Sequence, residues 1–143
     1  MSTNRADLVA GIGTMMAAFI AANPTLLRRY FGSRPKSLVT DWPCAWLDKL
    51  PATIHYDSSL REENYLPELV FADRETDSDE TSARLDVLVD KFTDFLDGYA
   101  HIVAGTLWSD AQWADESVPL SDSTAAAGVR LRIGPVSFKP GRL

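Results

Sequence analysis

"ELVFADRETDSDETSARLDVLVDKFTDFL", residues Glu68 to Leu96, changes its hydrophobic period once, and that change decides the fold. Pro67 to Ala72 is a short apolar run opened by proline, a position where a strand tolerates a missing N–H. From about Ser82 to Ala104, Leu85, Leu88, Val89, Phe92, Phe95, Leu96, Tyr99, Ile102 and Val103 step by three and four, while Asp86, Asp90, Lys91, Asp94 and Asp97 fall on the other side. A strand is therefore expected to run into a long helix that packs one face and shows water the other.

Asp73, Glu75, Asp77, Asp79 and Glu80 join the two, a density of carboxylates that raises the question of a cation. Counted from Asp73, the first, third and fifth calcium-loop positions are acidic, but the sixth is Ser78 where the turn needs glycine. The twelfth is Arg84 where a bidentate carboxylate belongs. No metal site is expected. Asp77 or Ser78 instead reads as a helix cap, Glu80 follows Asp77 at capping-box spacing, and the acids suit the positive pole of the helix.

Toward the N-terminus, Arg5 precedes "LVAGIGTMMAAFIAA" (Leu8 to Ala22), which imitates a secretory core segment. Leu8, Ile12, Met15, Met16, Phe19 and Ile20 nevertheless recur at helical spacing behind Met1, with Thr3 and Asn4 as candidate caps and Asp7 in the first turn. An amphipathic N-terminal helix is expected. Asn23-Pro24 ends it, and "PTLLRRYFG" reads as a second short helical piece that Gly32 stops, with Arg28 and Arg29 near its negative pole. Pro43 to Leu47 and Ala52 to Tyr56 read as strands, and "DSSLREENY" as a turn or exposed loop. Gly105 to Ala127 has no period and is expected to be partly folded or ordered against a partner. "GVRLRIGPVSF" closes the pattern as a half-buried strand bent at Gly134-Pro135. The order implies an α+β domain spanning 1–143: a mainly antiparallel sheet with an N-terminal helix and a long second helix packed on one face.

A chain of 143 residues buries roughly 70% of the surface its unfolded form exposes, enough for a core without staples. The net charge of −6 and pI near 4.8 argue against general attraction to nucleic acid or anionic lipid, and no apolar run is expected to span a bilayer. The single cysteine, Cys44, excludes an internal disulfide and fits a reducing interior. His55 and His101 have no neighbouring nucleophile or acid pattern, and "AGIG" at Ala10 to Gly13 lacks the third glycine and preceding strand of a phosphate loop, so no catalytic residue or cofactor is expected. Trp42 and Trp46 read as core. Trp108 and Trp113, set in an aperiodic polar stretch, are either folded back or anchors for a partner. Arg130 and Arg132 share one strand face, solvated or salt-bridged to a neighbouring subunit.

The helix, the Pro-initiated strand ("PCAWL" or "PATIHY"), "LPELVFADRE", the acidic turn into "LDVLVDKFTDFL" and the closing "GVRLRI" together resemble the tail terminator, or tail completion, proteins of long-tailed bacteriophages. Pro24 to Thr40 and Trp108 to Ala127 are longer than the simplest members of that family require. The resemblance implies a non-enzymatic virion protein of the tail–neck region, assembled in the host cytoplasm as a ring of six copies. It would cap the tail tube protein, stop polymerisation and offer a surface to the head connector, without contact to membrane. DNA would pass through unbound, with Asp73, Glu75, Asp77, Asp79 and Glu80 as candidate pore lining and Trp108, Trp113, Arg130 and Arg132 as candidate interface. The alternatives are another neck component, such as a head-completion or adaptor protein, a small acidic inhibitor or immunity-type protein, and an enzyme using His55 or His101 with distant acids.

Overall fold

A computed structural model describes residues 4–36, 41–74, 78–119, 125–139 and 141–142. In chain order the elements are α1 (Asn4–Ala22), β1 (Arg29–Phe31), β2 (Cys44–Lys49), β3 (Ala52–Asp57), β4 (Leu60–Tyr65), β5 (Glu68–Arg74), α2 (Ser78–Leu96), β6 (Thr106–Leu107), β7 (Ala111–Pro119), β8 (Ala125–Ile133), β9 (Val136–Phe138) and β10 (Gly141–Arg142). The fold is α+β with an N-terminal helix.

The first sheet has the order β1-β2-β5-β8-β7, in which β1 runs parallel to β2 and the other neighbours are antiparallel. Period-2 alternation sends Ala45, Leu47, Leu69, Phe71, Val129, Leu131 and Ile133 into the main core. Cys44, Trp46, Val70, Ala72, Val118 and Ala126 form a second cluster through the alternate positions, on the opposite face. Both faces of β5 are thus covered, which is why "LVFA" is continuously apolar rather than alternating. Phe31 and Trp42 pack against the second cluster. Arg34 donates to the Pro119 carbonyl (3.3 Å), although β1 and β7 lie at opposite edges of the sheet. The chain leaving β1 therefore passes across that second face.

The second sheet, β10-β4-β9-β6 with β3 added to β4, is antiparallel. Its β3–β4 hairpin corrects the expected loop at "DSSLREENY": only Ser58 and Ser59 turn, and Leu60 to Tyr65 pair with the whole of β3. Every residue of β3 is exposed, so neither face imposes the apolar alternation by which a strand is normally recognised. Between β8 and β9, Gly134 takes φ +123, and a Cβ there would lie 2.7 Å from the Val136 nitrogen, so the bend requires glycine.

α1 buries Leu8, Ile12, Met15, Met16 and Phe19 completely. Asn4 donates through Nδ2 to Glu63 Oε2 (2.6 Å), while Thr3 lies outside the described residues. By length and composition alone α1 is apolar enough to cross a membrane (mean hydropathy 1.4), correcting the expectation that no run is. Its apolar stripe, however, lies in the core shared with both sheets and α2. The expected second helical piece is instead a turn at Pro24 to Leu26 followed by β1: Leu27 drops into the core, and Arg28 N–H bonds to the Pro43 carbonyl (2.8 Å), drawing the chain into sheet pairing.

α2 ends at Leu96, earlier than the expected Ala104. Asp94 and Asp97 oppose the negative pole, no basic residue sits in the last turn, and Gly98 follows. The apolar pattern beyond it is satisfied by a loop, with Trp108 Nε1 donating to the Tyr99 carbonyl (2.6 Å) and Thr106 Oγ1 to that of Val103 (2.6 Å), while Ile102 is buried. Of the two alternatives for Gly105 to Ala127, the partly folded one holds: β6, β7 and the start of β8 lie within it, and the apolar signal of β7 is faint because most of that edge strand is exposed. At the centre, Phe92 of α2 meets Phe19 (4.9 Å between ring centroids), Phe71 (5.0 Å) and Trp113 (6.2 Å) edge-on, joining α1, β5 and β7.

Candidate functional site

The most organised polar feature lies on the first sheet, on the face opposite the main core. Arg130 of β8 donates to Glu116 of β7 (2.7 Å) and Glu68 of β5 (3.1 Å), and its Nη1 lies 2.9 Å from Asp48 at the end of β2. Arg132 reaches Glu68 at 3.5 Å. Four adjacent strands are thereby tied through one guanidinium. Side-chain exposures of 20% for Arg130, 13% for Asp48, 9% for Glu68 and 27% for Glu116 place the charges largely out of water, where each is stronger and more costly to orphan. The hydrogen bond that Arg130 donates to Glu116 is the first cause that raises the Arg130 pKa, with burial opposing it. Glu116 Oε2 is buried without a partner. These contacts lie within one chain, which gives Arg130 and Arg132 an internal role that a sequence pattern could not assign.

The two indoles in the aperiodic stretch are folded back. Trp108 caps the loop after α2, and Trp113 stacks obliquely on Phe71 (5.5 Å) and donates through Nε1 to Thr93 Oγ1 (3.1 Å). Both remain only partly buried against the core.

The acidic ladder is divided by the fold. Asp73 is buried (4% exposed) and accepts from Arg84 Nε at 2.7 Å, so it joins β5 to α2 inside one chain and its carboxylate is withdrawn from any lumen. The residue in the twelfth loop position is thus its counter-ion. Asp79 and Glu80 are exposed in the first turn of α2. Glu75 and Asp77 lie outside the described residues, as does any cap by Asp77.

Cys44 is buried, and burial, then the charges of Asp73 and Asp41, push its thiol up to about 12, so it stays protonated near neutrality. Among the described residues no group of three His, Cys, Asp or Glu is placed to hold a metal ion. His55 is exposed on β3. His101 Nδ1 contacts the Thr106 carbonyl at 2.5 Å; since a carbonyl only accepts, Nδ1 carries the proton and Nε2 is left open. It borders a cavity of about 520 Å³ lined by residues of β6 and β9, together with Glu62 and Lys139.

Sequence reasoning missed the exposed apolar residues of the hairpin, Ile54, Tyr56 and Leu60, and of α2, Val87. Ile54 and Tyr56 signalled a strand, but nothing local told that this strand would be an edge with both faces open. Comparison of the chain with protein-family models and with curated proteins gives no match.

Proposed function

We propose that the chain is a structural tail terminator of a long-tailed phage, a single-domain subunit of a six-membered ring that caps the tail tube and presents a joining surface to the head connector. The observation that carries this reading is the β3–β4 hairpin, a strand pair whose β3 is exposed throughout and which shows Ile54, Tyr56 and Leu60 to solvent. Exposed large apolar residues on an unpaired edge are an association surface that a lone subunit has no use for. In this reading the hairpin and the sheet edges supply the subunit and tube contacts.

The mechanism is steric and non-enzymatic: one ring face matches the growing tube end, the other the neck, and DNA passes through the lumen. Asp79 and Glu80, exposed at the start of α2, with Glu75 and Asp77 from the sequence, are the acids that would line the lumen and repel phosphate. The place of action is the tail–neck region of the virion after assembly in the host cytoplasm. Electron microscopy of the protein mixed with tail tubes tests this. Sixfold rings at tube ends are expected; particles only at the portal side of heads would identify a different neck component, and a tight one-to-one complex with a basic protein and no self-assembly would identify an inhibitor.

A further inference from the structure

The exposed side of α2 carries an acidic row with one cation, Lys91, among it. Asp86, Asp90 and Asp94 follow one another at i,i+4, so their side chains share one exposed face, and the exposed Asp97 follows in the turn just beyond the helix. Like charges at this spacing destabilise a helix. Among the described residues none of the four has an ion-pair partner within 4.0 Å, and the row runs beside the exposed Val87. Spaced at 1.5 Å per residue, its helical part from Asp86 to Asp94 is roughly 12 Å long.

A basic track lies on the other side of the same sheet. "RRYFGSRPK", residues 28–36, holds Arg28, Arg29, Arg34 and Lys36 and no acid, and all four cations are exposed. Arg28 sits beside β1 at one edge and Arg34 reaches β7 at the other, so the track spans five strands, about 19 Å at the usual strand spacing. Arg29 is steadied over the Phe31 ring (4.7 Å) and by Asp41 (3.2 Å). Arg28 and Lys36 have no ion pair among the described residues.

The two features are opposite in sign and occupy opposite sides of one layer: α2 packs through Phe92 on Phe71, and Phe31 within the track packs against the second cluster. We propose that the acidic row of α2 seats on the basic track of a second copy. Because the two surfaces differ, the contact is head-to-tail and each subunit uses both, so the assembly closes into a ring or continues as a fibre according to its rotation. In choosing a second copy as the occupant, the inference rests on the ring of the proposed function.

Sedimentation velocity of the full chain tests it. Oligomers are expected at about 0.01 M salt, where the Debye length is about 30 Å, and monomers at about 1 M, where it is about 3 Å. D90K/D94K and R28E/K36E are each expected to weaken association by roughly 100-fold, through like-charge contact at the same seam. An equimolar mixture of the two is expected to reassemble, since each reversed surface then meets a reversed partner. Circular dichroism confirms that both variants are folded. A wild-type monomer at low salt, variants that assemble alone, or a mixture that stays monomeric would overturn the proposal. A monomer that nevertheless caps tubes removes this contact and leaves the functional reading, whereas salt-sensitive oligomers that ignore tubes remove the functional reading and leave the contact.

Discussion

Replacing Arg130 by methionine keeps the length and apolar stem of the side chain but deletes the one cation that Asp48, Glu68 and Glu116 share. Glu68 would retain only Arg132, at 3.5 Å and half exposed, while Asp48 and Glu116 would lose their guanidinium contact. Removing one partner of a buried charge group costs about 3–5 kcal/mol because the remaining charges are left uncompensated. With the cluster one-fifth to one-tenth exposed at its centre, about 3 kcal/mol is expected, a fall in Tm of roughly 10 °C for a domain of this size. The sign of the pH dependence is set by the guanidinium: its folded pKa is raised, so its stabilisation is fully present below the unfolded value and persists across ordinary pH. Urea unfolding followed by tryptophan fluorescence measures the loss, and Trp46, whose Nε1 donates to Asp48 (3.3 Å), reports the site directly. Adding E116Q to R130M removes one orphaned charge and is expected to recover about 1 kcal/mol. A cost below about 1 kcal/mol for R130M, or no recovery in the double variant, would refute the view that these charges act as one desolvated unit.

Gly11→Ala improves helix propensity by about 1 kcal/mol, yet its Cβ would stand 2.7 Å from Val103 Cγ2 and 2.9 Å from the Ile102 carbonyl, so a net loss of about 1–2 kcal/mol is expected in a thermal melt. Ser58, at φ 51 in the two-residue hairpin turn, holds a conformation that favours glycine; Ser58→Gly is expected to stabilise by up to about 1 kcal/mol in urea unfolding. Burial pushes Tyr30 and Tyr65 up to about 12, with Glu63 adding to the shift at Tyr65, and Cys44 likewise to about 12. All three are raised acids, so their stabilisation is complete below the unfolded values of 9.0 and 10.0 and is lost as pH climbs toward 12; absorbance at 295 nm is expected to show two of the four tyrosines titrating late, together with unfolding.

The residues by themselves determined the elements that bury one face against a core. α1 was legible because Leu8, Ile12, Met15, Met16 and Phe19 repeat at helical spacing; β5 because a strand covered on both faces is apolar without interruption; β8 because Val129, Leu131 and Ile133 alternate with charged residues. Failure of the calcium-loop count was also legible, since it needs only positions. What the tertiary structure alone decided is where burial does not follow local period. β3, β4 and β7 are edge or exposed strands held by backbone pairing, and such pairing leaves no side-chain signature. Tyr99, Ile102 and Val103 keep a helical rhythm but pack from a loop, because helix and loop can deliver the same side chains to one core. Asp73 and Arg84, read separately as a ligand and a defect of the same loop, are an ion pair 2.7 Å long: eleven residues apart in sequence, they meet only once the strand and the helix fold onto each other.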